Sequence, residues 1–275
     1  MQLRHIVVAT DESEAGRSAV RAGLDLAVRA SARLTVMRVV PVETKPLFGA
    51  TALERLERWL QAELQDGHAV RVELGIASGL PGIEICRFAE QRGADLLVLG
   101  RKHRSAVARL LVGDTADAVI RRSRTPCLFV EQESLKLSRV LVALDGSERG
   151  MRVFGAARSF AEAVGATIAV VTVEDVHAPN LPDPVPPLPL TRSSRLWREL
   201  EPHHGRGGLS TATETAVSIR QGKVVPEILA EVAERSADVL AFGCHRGGPS
   251  GILETGGTGR HLAHTAPVSV LTIPL

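Results

Sequence analysis

The chain is built from an internal repeat, and no other feature narrows its fold as much. Arg4-His5-Ile6-Val7-Val8-Ala9-Thr10-Asp11-Glu12-Ser13-Glu14 matches Ser138-Arg139-Val140-Leu141-Val142-Ala143-Leu144-Asp145-Gly146-Ser147-Glu148, with Asp11 falling on Asp145. The same register carries Leu34–Val39 onto Ile168–Val173. Further along, Gly79–Ile85 parallels Gly222–Ile228, Ala94–Gly100 parallels Ala237–Gly243, and Thr125–Val130 parallels Ala266–Leu271. Five blocks in one order require a duplicated unit. The length agrees, since 275 residues exceed the usual single domain and divide into two of about 135 to 140. The units are expected at residues 1–132 and 138–275, with the junction in Glu131 to Leu137.

Each unit reads as strand, helix, strand, variable segment, strand, helix, strand, polar loop, helix, strand. The strands are short unbroken apolar runs, and the intervening helices carry periodic Ala, Val and Leu at roughly 13–31 and 81–92, and again at 147–164 and 225–236. Apolar strands alternating with helices indicate a parallel sheet covered on both faces. Right-handed crossovers then give an α/β fold of two tandem Rossmann-like, doubly wound domains, each with a five-stranded parallel sheet. The variable segments differ. In the first unit Thr51 to Gln65 predicts an amphipathic helix with Leu53, Leu56, Trp59, Leu60 and Leu64 on one face. In the second, Ala178 to Pro189 is nearly half proline, an extended polyproline-like stretch read as a flap. A short helix at Ser193 to Leu200 and a glycine- and histidine-containing loop follow it.

Composition excludes several functions. Basic and acidic residues nearly cancel to a net charge of +2, and aromatics are 3% with no tyrosine, so neither a basic tract nor a stacking surface for nucleic acid is present. No apolar run reaches the roughly 18 residues of a membrane span. The chain opens directly on a strand without a secretory leader, and its three cysteines, Cys86, Cys127 and Cys244, lack metal-type spacing. A cytoplasmic protein with reduced thiols is the expectation.

In a doubly wound sheet, ligands bind beyond the carboxyl ends of the strands where the strand order reverses. That rule collects Asp11 and Asp145 after strand one, Val39 and Val173 at the end of strand two, and the loops after Gly100 and Gly243. Each of those loops runs into a helix beginning near Gly113 or Gly257. Backbone N–H groups of a glycine-rich loop joined to a helix N-terminus form an anion site.

These residues resemble the universal stress protein family, specifically its tandem two-domain members, across the chain outside Ala178 to Gly208. Nucleotide-binding members carry Gly-x2-Gly-x9-Gly-(Ser/Thr) after strand four and an aspartate after strand one that contacts the nucleoside. The resemblance implies ATP, with magnesium, as the ligand. It assigns Asp145, Val173, Gly243, Gly247, Gly257 and Thr258 in the second unit and Asp11, Val39, Gly100, Gly113 and Thr115 in the first. Both copies depart from the pattern. In the first, His103 stands where the second glycine belongs, crowding the close backbone approach that glycine permits. There Asp114 replaces the hydroxyl residue after Gly113, placing like charge against phosphate at a cost on the order of a few kcal/mol. Arg101, Lys102 and Arg104 partly offset this, and Thr115 can substitute if the loop shifts by one. The second unit has one extra residue before Gly247, after which Gly257 and Thr258 restore the spacing. The second unit is therefore the expected binding site. The competing reading is that these glycines serve only tight turns and helix starts.

Other candidates weigh less. Cys244 and His245 are neighbours, but adjacent residues point apart and no third orienting group is evident. His261 and His264 share a helix face and with His245 suggest a metal site, yet no carboxylate or cysteine completes the set. His203 and His204 read as a solvated loop, and the Leu and Trp59 stripe as packing. With no positioned base or nucleophile, the resemblance implies a stress-response or signalling protein that senses adenine nucleotide without dedicated turnover. Slow ATP hydrolysis is the most that bound triphosphate and magnesium would add. The alternative is a nucleotide-free interaction scaffold, which the altered loop of the first unit fits. Single-domain members dimerise through their fifth strand. By resemblance, the two units form an internal pseudo-dimer through segments near Cys127 to Val130 and Val268 to Thr272, with homodimerisation of the whole chain open.

Overall fold

A computed structural model describes residues 2–42, 45–63, 70–101, 114–131, 136–145, 147–174, 216–244 and 257–275. The proline-rich stretch, the helix expected at Ser193 to Leu200, His103, Gly113, His203, His204, His245 and Gly247 lie outside the described residues.

The first unit comprises β1 (His5–Ala9), α1 (Glu14–Ala30), β2 (Arg33–Val40), α2 (Lys45–Glu63), β3 (Val72–Ser78), α3 (Pro81–Gln91), β4 (Leu96–Gly100), α4 (Asp114–Arg122) and β5 (Cys127–Val130). The second repeats it as β6 (Arg139–Leu144), α5 (Glu148–Val164), β7 (Thr167–Glu174), β8 (Ala216–Gln221), α6 (Val224–Glu234), β9 (Val239–Cys244), α7 (Gly257–Thr265) and β10 (Ser269–Pro274). The first helix of each unit starts by the same local chemistry. The side chains of Ser13 and Ser147 accept hydrogen bonds from the N–H groups of Gly16 and Gly150, at 3.3 and 3.2 Å, which supplies an orphan donor of the first turn with a partner. Both helices end in a left-handed residue, Ser31 and Gly165, whose N–H returns to the last turn.

Alternation along each strand separates two cores. Ile6, Val8, Leu96 and Val98 face a core shared with α1, α2 and α5, whereas Val7, Leu97, Leu99 and Phe129 face one shared with α3, α4, α6 and α7. The helix expected over Thr51 to Gln65 starts earlier, at Lys45, and is described as far as Glu63. Pro46 sits in its first turn, where a missing N–H costs nothing, so the helix begins before the amphipathic stripe does. Leu56 and Leu60 are buried and Trp59 packs beside them, whereas Leu53 is exposed and Leu64 lies outside the described residues.

The sheet order is β3-β2-β1-β4-β5-β10-β9-β6-β7-β8. Within each unit every pairing is parallel, and the order reverses beside β1 and β6, between β1 and β4 and between β6 and β9. The two five-stranded sheets join edge to edge because β5 and β10 pair antiparallel, with Val270 opposite Phe129. The repeat places Val270 on Phe129, so each faces its own counterpart across the seam, as residues on a two-fold axis do. Among the described residues no helix is long and apolar enough to cross a membrane.

Candidate functional site

Both aspartates close the first strand of their unit in one geometry. The Ser13 N–H donates to Asp11 Oδ1 and the Ser147 N–H donates to Asp145 Oδ1, each at 3.0 Å, and the Ser13 hydroxyl also donates to Asp11. This side-chain turn leads the chain from strand into helix. Each carboxylate is thus held at the switch point, exposed at the carboxyl edge of the sheet.

In the second unit that edge opens into a cavity of about 360 Å³. Asp145, Val173, Gly243 and Thr258 all line it, so residues drawn from β6, β7, β9 and α7 meet around one space. Phe242, Leu262, Val153 and Ile228 make its walls apolar. Gly257 stands at the first position of α7, beside Thr258. The volume lies in the range of small-molecule sites, and an apolar wall with few convergent polar groups is their usual make-up. A Cβ on Gly243 would lie 2.7 and 2.8 Å from the side chains of Leu275 and Val153, which would have to shift to admit it.

The first unit differs at the matching point. A Cβ on Gly100 would run into the backbone carbonyl of Ala15, so the first turn of α1 is laid directly against the end of β4. Glu12, at the position of Gly146, adopts φ 63 and pairs with Arg38 of β2 and with Arg55 of α2, the latter at 3.0 Å. Val39 is half-buried against the core, and Thr115 lies in the first turn of α4 with its carbonyl beside Gly82 of α3. Arg101, expected to offset charge at the loop, points elsewhere. Its side chain is 12% exposed, pairs with Glu131 and donates to the carbonyls of Ala263, Ala266 and Val268 at and just beyond the carboxyl end of α7. The carbonyls of Ala263 and Ala266 close the helix without N–H partners from a further turn, and the cation satisfies them.

Of the remaining candidates within the described residues, the cysteines and His264 take packing and pairing positions. Cys86, Cys127 and Cys244 are buried free thiols. Burial pushes the Cys244 thiol up to about 12, so the protonated thiol lines the cavity at neutral pH. His264 binds Asp117 at 3.2 Å, and no metal-type cluster occurs among the described residues. Sequence reasoning missed the cavity walls Val153 and Leu275, which come from helix packing and the chain end and carry no motif. Phe242 and Cys244 flank Gly243 and were within reach of the same strand-end rule.

Residues 2–131 and 136–274 each match the model of the universal stress protein family. A universal stress protein of Methanocaldococcus jannaschii, MJ0531, is 28% identical over 142 residues, covering 47% of this chain and 82% of its own. Universal stress protein Sll1388 of Synechocystis is 29% identical over 150 residues, covering 46% of this chain and 96% of its own. The crystal structure of a universal stress protein from Archaeoglobus fulgidus covers 100% of this chain and 99% of its own, with a TM-score of 0.76 at 19% identity, a likeness of fold.

Proposed function

The chain belongs to the universal stress protein family, in tandem form, and from that premise we propose that it binds an adenine nucleotide, ATP foremost, in the pocket of its second unit. The observation that carries this reading is the convergence of Asp145, Val173, Gly243 and Thr258 on one cavity. The fit is chemical as well as spatial. Apolar walls suit a base, the Asp145 carboxylate can accept hydrogen bonds from ribose hydroxyls, and Gly257 and Thr258 at the start of α7 offer N–H groups to phosphate. Magnesium, if it accompanies the triphosphate, supplies charge neutralisation there. Asp145 and Cys244 are the only ionisable side chains among the described lining residues, so binding without dedicated turnover is the activity we assign.

The domains are read as residues 1–132 and 138–275, joined at the β5–β10 seam as an internal pseudo-dimer; a homodimer of whole chains is compatible with this. The three free thiols fit a reducing cytoplasm. A second reading, a nucleotide-free scaffold, is favoured by one observation, the Ala15 carbonyl set against Gly100 in the first unit. Heat extraction of the purified chain followed by identification of any released nucleotide, then calorimetric titration with ATP, separates the two. Binding that survives Asp11→Ala and is lost in Asp145→Ala supports the second-unit site. Loss in Asp11→Ala alone moves the site to the first unit, and no uptake by wild type favours the scaffold.

A further inference from the structure

We propose that Arg101 of the first unit is a positioning residue for the pocket of the second, holding α7 from its far end; this rests on the ligand reading given above. Thr258, Gly259 and Leu262 of α7 line the cavity, while the carboxyl end of the same nine-residue helix reaches the seam. There the Arg101 guanidinium gathers four acceptors. Nη1 donates to Ala263 O at 2.8 Å, Nη2 donates to Ala266 O at 2.6 Å and Val268 O at 3.2 Å, and Nε donates to Glu131. A cation on the carbonyl end of a helix satisfies orphan acceptors and complements the helix dipole. The first unit grips α7 a second time through Asp117, which accepts from Arg260 Nη2 at 2.8 Å and meets His264 Nε2 at 3.2 Å.

The Ala263 and Ala266 carbonyls held by Arg101 lie about 8–12 Å along the helix axis from Thr258. A helix this short shifts as a rod, so its tilt at the seam sets where the Thr258 hydroxyl and the first N–H groups stand in the pocket. The grips come from Arg101, just after β4, and from Asp117 of α4, the stretch that the repeat pairs with the second unit's own loop and helix. The repeat sets Arg101 opposite Cys244, a thiol on the wall of its own cavity. The first unit thus serves the second unit's site, and by linkage a ligand at one end of α7 is felt at Arg101 on the other.

The test uses the full chain as wild type, Arg101→Ala, Arg101→Lys and Asp95→Ala. Asp95 accepts the N–H groups of Arg4 and His5 at 2.9 Å each, so its loss weakens the first unit away from α7. Two quantities are measured: the dissociation constant for ATP, and amide hydrogen exchange over Gly257–Thr265 without ligand. Arg101→Ala is expected to weaken ATP binding by about 3- to 30-fold and to speed exchange in α7. Arg101→Lys falls between, because a single ammonium cannot serve the forked acceptor set. Asp95→Ala is expected to leave affinity within about twofold and α7 exchange unchanged. Unchanged affinity in Arg101→Ala overturns the proposal, as does an equal loss in Asp95→Ala. If wild type takes up no ATP, the ligand reading fails, and exchange alone decides whether Arg101 positions α7: faster exchange in Arg101→Ala supports it and an unchanged rate overturns it.

Discussion

Gly100 and Gly243 occupy one position of the repeat, yet their neighbours differ in kind. At Gly100 the obstacle to a side chain is the Ala15 backbone, which cannot swing aside, whereas at Gly243 it is the tips of Leu275 and Val153. Gly100→Ala is therefore expected to lower unfolding stability by about 1–3 kcal/mol, as overpacking does. Gly243→Ala should cost less, because flexible side chains yield, and should reduce ligand affinity by narrowing the cavity. Urea denaturation and calorimetric titration of the two variants test the contrast, and equal stability losses would refute it. Asp145, Val173, Gly243 and Thr258 were legible because the repeat and the strand-end rule act on local sequence. Arg101 was not. A guanidinium beside a glycine looks like a loop cation until the fold brings α7 to it.

At the scale of elements, the outer strand and helix of the two units are stabilised by different chemistry. In the first unit Phe88 of α3 lies against Gly75 of β3, with Arg92 stacked 5.0 Å from its ring centre. The repeat carries this trio onto Glu231, Ser218 and Arg235. Glu231 is buried, accepts from the Ser218 hydroxyl at 2.6 Å and from Arg220 at 2.6 Å, and pairs with Arg235. Burial pushes the Glu231 carboxyl up, but the hydrogen bonds from Ser218, Arg220 and Arg235 outweigh it and hold it below the ordinary value of 4.5. The unfolded chain takes up that proton first. The stabilisation is thus present above pH 4.5 and is lost as pH falls through the folded value. Glu231→Ala should cost about 1–3 kcal/mol at neutral pH. Combining Ser218→Gly with Glu231→Phe should recover much of it and flatten the acid limb of a stability–pH profile; a limb unchanged in the double variant would show that other carboxylates govern it. The periodic apolar pattern disclosed the helices themselves, because their buried faces repeat every turn. It did not disclose where α2 begins, since Lys45 to Ala50 precede the stripe.

Across the whole molecule, two cores flank a single ten-stranded sheet, one on each face, and the seam between units is carried by β5, β10 and the contacts on α7. His264 lies in that seam. Burial is the main reason its pKa is held below the ordinary 6.5; Arg260 and Arg101 act in the same direction and Asp117 opposes them. The stability tied to neutral His264 is complete above pH 6.5 and is lost as pH falls from there through the lower folded value. Unfolding midpoints in urea at neutral and mildly acidic pH should diverge less in His264→Gln than in wild type, and equal divergence would remove His264 from the account. The pairing of Phe129 with its own counterpart, Val270, bears on how the halves came to differ. When two separate copies meet across such an axis, every substitution arises in both at once, and any harm or benefit is doubled. Once the copies share one chain, a substitution arises in one half alone. Each half then drifts under its own selection, and an arginine can settle on one side of the axis without having to work from both.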